Sequence, residues 1–84
     1  MEIKSNIYGY VVNITQFGLN SDYGIFCGTH RYIACGRQIP VTTKNSFQEP
    51  KIYKSIKNAD RALLKLKSKY GYEHLHGIVE EFVE

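Results

Sequence analysis

The chain has no tryptophan, one methionine, two prolines and two cysteines among its 84 residues, and the shortages exclude several kinds of protein. Two thiols, Cys27 and Cys35, are too few for the disulfide framework that holds small secreted scaffolds together, so free thiols in a reducing, cytoplasmic setting are expected. No stretch approaches the roughly 18 consecutive apolar residues that a spanning helix needs. The start, Met1 to Asn6, is too polar for the core of a signal peptide, and no membrane association is expected.

Catalytic signatures are also missing. No G-x-S-x-G turn and no glycine-rich phosphate loop occurs, and the one adjacent carboxylate pair, Glu80 and Glu81, points to opposite faces if its segment is a strand. Cys27 and His30 form the only sequence-near thiol–imidazole pair, and on a hairpin one of the two is expected buried and the other solvated. Cys27-Gly28-Thr29-His30 is a C-x-x-H that Cys35, His74 and His76 could complete as a zinc site, but the spacing matches no usual zinc module and cysteine is a common core residue. Cys27 and Cys35 are also too far apart in sequence for a C-x-x-C redox pair. The expectation is a protein that is not an enzyme and carries no metal or cofactor.

What the chain does contain is enough apolar material to fold. Hydrophobic residues make up 43%, with seven Tyr and four Phe, and a chain of this length buries only about 60–65% of the surface exposed when unfolded. Asn6 to Phe17 is rich in β-branched and aromatic types, with Tyr8, Tyr10, Val12 and Ile14 on one parity and the smaller or more polar Gly9, Asn13 and Thr15 on the other. It reads as a strand with one core face and one face at least partly wet. Turn residues from Gly18 to Asp22 separate it from a second short strand, Tyr23 to Cys27, ended by Gly28, and Arg31 to Cys35 reads as a third. Pro40 and the polar stretch Thr42 to Pro50 predict a long connection or an edge segment, and the most mobile loop. Lys51 to Lys54 reads as a brief strand.

The period then changes. Ile56, Ala59, Leu63, Leu66 and Tyr70 recur at spacings of three and four, with Ala62 beside them, which predicts a helix over roughly Asn58 to Tyr70. Ser55 or Asn58 can cap its start and Gly71 its end. The period over Gly77 to Val83 does not separate strand from helix, and its β-branched content and leading glycine favour a final strand. The fold class is α+β: a small, mainly antiparallel sheet of three to five strands with one amphipathic helix on one face, in the order β-β-β-(β)-α-β, as one domain over 1–84.

Charge is spread unevenly. Residues 51–70 carry Lys51, Lys54, Lys57, Arg61, Lys65, Lys67 and Lys69 against Asp60 alone, and residues 71–84 carry Glu73, Glu80, Glu81 and Glu84. Lys57, Arg61, Lys65 and Lys69, each four apart, form a cationic ridge on the side of the helix roughly opposite its apolar stripe, and Lys51 and Lys54 widen it. The plain reading of such a ridge is a solvated face kept polar for solubility. Its uniform sign argues instead for an anionic partner, either an acidic protein surface or a nucleic acid. Tyr8, Tyr10 and Tyr70 fit the inward pattern. Tyr23, Tyr32, Tyr53 and Tyr72 lie near turns or element ends, and Tyr53 and Tyr72 are the candidates for contacts beside the ridge.

The stretch KIYKSIKNADRALL, from Lys51 to Leu64, followed by KLKSKYG, resembles a strand-helix cassette of small bacteriophage and mobile-element accessory proteins of Gram-positive bacteria, over about a quarter of the chain. The resemblance implies an accessory protein that binds and blocks or redirects a host factor, a class that includes counter-defence inhibitors such as anti-CRISPR proteins. It carries over no functional residue. The sequence therefore predicts a non-enzymatic protein-binding module, with nucleic-acid binding through the basic helix as the alternative. The acidic end favours the protein partner, because it would repel a polyanion lying close to it. The oligomeric state is left open, a homodimer included.

Overall fold

The computed structural model describes the backbone of residues 7–83 and the side chains of residues 9–83. Asn6, Glu84 and the inward side chain expected for Tyr8 lie outside that range. Strands β1 (Ile7–Phe17), β2 (Asn20–Tyr32), β3 (Gln38–Thr42) and β4 (Leu75–Val83) form one antiparallel sheet in the order β3-β2-β1-β4, and helix α1 (Ile56–Tyr70) packs against it. The α+β class and the single amphipathic helix are as the sequence predicts.

Three boundaries differ from the sequence expectations. The expected second and third strands are one continuous strand, because Gly28 does not end it: at φ 91° the glycine keeps the chain extended where the Lys51 side chain lies against it, and an added Cβ would come 3.3 Å from that side chain. Cys35 consequently falls in the exposed turn after β2 and not in a strand. The third strand is instead Gln38–Thr42, which contains Pro40 and sits at the sheet edge, where a residue without an N–H is tolerated. Lys51 to Lys54 forms no strand. It contributes one bridge, in which the Tyr10 and Tyr53 backbones exchange hydrogen bonds of 2.8 and 2.7 Å.

That bridge marks a split in the sheet. β1 and β2 pair from Asn13↔Ile25 to the hairpin turn, and beyond this point residues 51–53 enter between them: the Lys51 N–H donates to the Phe26 carbonyl at 3.0 Å while Tyr53 pairs with Tyr10. Gly9 permits the close approach, because a Cβ there would stand 2.5 Å from both Ile52 Cγ2 and the Tyr53 carbonyl oxygen.

α1 begins at Ile56. The Ser55 hydroxyl accepts from the Asn58 N–H, and the Gly71 N–H closes the last turn onto the Lys67 carbonyl. Ala59, Leu63 and Leu66 are buried against Val12, Ile14, Phe26 and Leu75, with Tyr10, Phe17, Tyr53, Tyr70 and Val79 packed around them. Ile56, expected in the same stripe, is half exposed because the first turn lies at the rim of the sheet beside Ile78 and Glu81. The opposite face of the sheet is partly dry: Val11, Cys27 and Val41 are buried there, and the Cys27 thiol lies 3.5 Å from the Gln48 carbonyl. The connection after β3 is tied at its start. Asn45 accepts from the Thr42 N–H and donates to the Pro40 carbonyl and the Tyr23 hydroxyl. Among the described residues no helix is long and apolar enough to cross a membrane.

Candidate binding groove

Alternation along β2 turns Phe26, Gly28 and His30 toward α1, and α1 answers with Ala62 and Leu66 on its near flank. Between them runs a groove of about 530 Å³. Its floor is Phe26, Tyr53, Ala62 and Leu66, and its rim is Arg61, Lys65 and Lys69, one cation per helical turn. Every fourth residue of an α-helix advances by about 40° around the axis, so a ridge spaced in fours winds around the helix. Lys57 starts it in solvent and Lys69 ends it beside the apolar stripe. The ridge expected opposite that stripe therefore borders it over its last three members, because the winding carries them to the groove. No carboxylate among the described residues pairs with Arg61, Lys65 or Lys69; the ion pair of this structure, Lys44 with Asp22, lies elsewhere.

Of the residues singled out from sequence, the groove brings together Arg61, Lys65, Lys69 and Tyr53. Lys51 stands at its β2 side, its stem against Gly28 and its ammonium 6.0 Å from the centre of the Tyr53 ring. Lys54 and Lys57 are exposed and line no part of it, and Tyr72 is exposed on the turn after α1. Sequence reasoning missed Phe26, Gly28 and His30 as one wall. Their alternation was the available signal, and reading Gly28 as a strand end hid it.

The groove ends at a polar pair. His30 Nδ1 lies 2.5 Å from the Tyr70 hydroxyl, and the Tyr70 ring stands edge-on to Phe17 with centroids 5.1 Å apart. Burial, and then the Lys69 charge, lower the His30 pKa below its ordinary value. Burial, and then Tyr23 and Tyr32, push Tyr70 up to about 12. Both groups are therefore held neutral, and a single hydrogen bond joins them whose direction follows the imidazole tautomer. Cys27 is not brought to His30: its thiol turns toward the Ile25 and Gln48 carbonyls, while the His30 ring packs 5.5 Å from Phe26. Burial raises the Cys27 pKa, with the Ser46 hydrogen bond opposing, which disfavours the reactive thiolate. Among the described residues no three His, Cys, Asp or Glu side chains come together as a metal-holding group.

Acidic residues lie across the helix. On its β4 flank Asp60 and Glu81 share a second concavity, of about 500 Å³, with Tyr10, Ile56, Leu63 and Ile78. The β2 flank of α1 thus carries cations alone, while on the β4 flank Asp60 and Glu81 stand with Lys67. Glu80 faces the other side of the sheet, where it accepts from Asn13 Nδ2 at 3.0 Å.

No family model, curated protein or solved structure matches the chain.

Proposed function

We propose that the chain is a non-catalytic binding module whose α1–β2 groove takes an acidic, partly apolar segment of a protein partner. The observation that carries this reading is the set Arg61, Lys65 and Lys69, free of carboxylate partners among the described residues, rimming an apolar floor. Cations arranged this way suit a ligand that brings carboxylates to the rim and an aliphatic or aromatic side chain to the floor. An accessory or inhibitory role, of the kind implied by the resemblance to phage and mobile-element proteins, would follow from covering such a surface on a host protein.

Nucleic acid is the second reading, favoured by the uniform sign of the ridge. The repulsion expected from the acidic end does not decide against it, because Glu81 lies on the other flank of α1 and Glu80 on the opposite face of the sheet. Shape separates the two. A phosphate backbone needs the rim and makes little use of the floor, whereas a protein segment uses both. The test compares two variants, the triple Arg61→Ala/Lys65→Ala/Lys69→Ala and the charge-neutral Ala62→Phe, which fills the floor. They are titrated against a panel of acidic peptides with and without Leu or Phe, and against random duplex and single-stranded DNA at low and physiological salt. A protein site loses peptide binding in both variants, with preference for the peptides that carry Leu or Phe. Tight DNA binding at physiological salt that survives Ala62→Phe, with a log-log salt slope that falls by about 3 units in the triple variant, would establish nucleic acid instead.

A further inference from the structure

The two edges of the sheet are built differently. β3 is five residues long and interrupted by Pro40, a blunted edge. β4 is nine residues long and has no proline, and the bulges in its pairing with β1 fall on the β1 side, where Tyr8 and Thr15 are the extra residues, so β4 itself runs regularly. No described strand pairs with its outer side. Exposed apolar side chains lie on both faces of this edge, Ile78 on the face away from α1 and Ile56 and Leu64 on α1.

We infer that β4 pairs antiparallel with β4 of a second copy about a two-fold axis at Ile78, forming a homodimer with one eight-stranded sheet. A two-fold perpendicular to the sheet keeps both helices on one side, and residues opposite each other must then share a face, so the axis passes through a residue. An axis at Glu80 or Glu81 would set like charges against each other. The axis at Ile78 sets Ile78 against itself and His76 against Glu80 of the second copy, twice, on the face away from α1, with Gly77 against Val79 on the helix face.

The helices support the same axis independently. α1 packs over β1 and β4, and neighbouring strands lie about 4.8 Å apart. A helix centred over that strand pair stands about 10 Å from its symmetry mate, a normal helix-packing distance. Leu63 is the helical residue that meets Gly77, next to the axis, so the adjoining Leu64 faces the second helix across it. Asp60 and Lys67 lie on either side of that point and are carried onto each other's counterparts. Neither has an ion-pair partner among the described residues.

Sedimentation equilibrium of the protein at high-micromolar concentration is expected to give the dimer mass, and a monomer there overturns the inference. His76→Glu is expected to weaken the dimer by about tenfold or more, through like charges across the strands, and Glu80→Lys to weaken it by removing the carboxylate that His76 faces. Mixed together they restore it as a heterodimer, since the carboxylate introduced in one copy then meets the ammonium introduced in the other, and the remaining contact is the original Glu80 with His76. Dimers that persist in each variant alone, or a mixture that stays monomeric, refute the Ile78 axis. Should Glu80→Lys fail to fold on losing the Asn13 bond, the Asp60→Lys and Lys67→Asp pair gives the same exchange test through the helices.

Discussion

His30 reaches the groove rim, the core and the Tyr70–Phe17 ring pair at once, through Lys69, Phe26 and Tyr70. Because its folded-state pKa is lowered, the unfolded chain binds the proton more readily. The stability that His30 contributes is present above the ordinary histidine value of about 6.5 and is lost as pH falls through the lower folded value. Urea melts across this range should show the acid-side loss, and His30→Gln should flatten it relative to the parent; an identical slope in the variant would assign the loss to other groups. Leu66, 3% exposed, joins the helix to Phe26 and the sheet. Leu66→Asp is expected to unfold the protein, since an unpartnered buried charge costs several kcal/mol in a chain with roughly 4–8 kcal/mol of stability. Circular dichroism decides this. The inward positions of α1 after its first turn were legible because the 3.6-residue period assigns each to a face, while Ile56 lies where the sheet ends. The His30–Tyr70 contact was not legible: the partners are 40 residues apart, and only the completed sheet brings them together.

Among the elements, α1 was legible in sequence because its apolar spacing and caps agree, whereas the period over Gly77 to Val83 fits strand and helix alike and only the β-branched residues and the leading glycine pointed to β4. β2 was less legible, because Gly28 reads locally as a strand end and Arg31 to Cys35 then reads as a separate strand, while Pro40 leaves a long connection and an edge segment equally open. Gly28 sits inside a strand to admit Lys51, and Pro40 sits in a strand that needs no N–H on its outer side. A glycine or proline ends a strand only when the neighbouring chain has no use for it there, and that neighbour is absent from the local sequence. The 51–53 segment provides the test. Gly9→Ala places a methyl group at 2.5 Å from the Tyr53 carbonyl oxygen, which is backbone and cannot turn aside. The variant is expected to lose about 2 kcal/mol, in the range of an overpacked core, and to speed amide exchange at Tyr53. Unchanged exchange at Tyr53 would show that the segment is held from elsewhere.

At the scale of the whole molecule, α1 divides the surface into a basic flank facing β2 and a flank facing β4 on which Asp60 and Glu81 outnumber Lys67. The basic ridge was visible in sequence, and its membership in a groove was not, since the floor comes from residues 26, 53, 62 and 66 of three separate segments. In the proposed dimer the flanks facing β4 are covered and the two basic grooves face outward, one on each side of the axis. A partner offering two acidic segments would then be held by both, with an avidity set by the linker between them. The position of β1 has a different consequence, for the order in which the chain acquires structure. β1 is paired on one side with β2, its immediate neighbour in sequence, and on the other with β4, where Asn13 and Glu80 are 67 residues apart. During synthesis the β1–β2 hairpin can close early. One side of β1, and the apolar face meant for α1, must wait until most of the remaining chain has emerged from the ribosome. For that interval the nascent protein displays an open strand edge above a greasy surface, so the step that completes the sheet also ends its greatest exposure to aggregation.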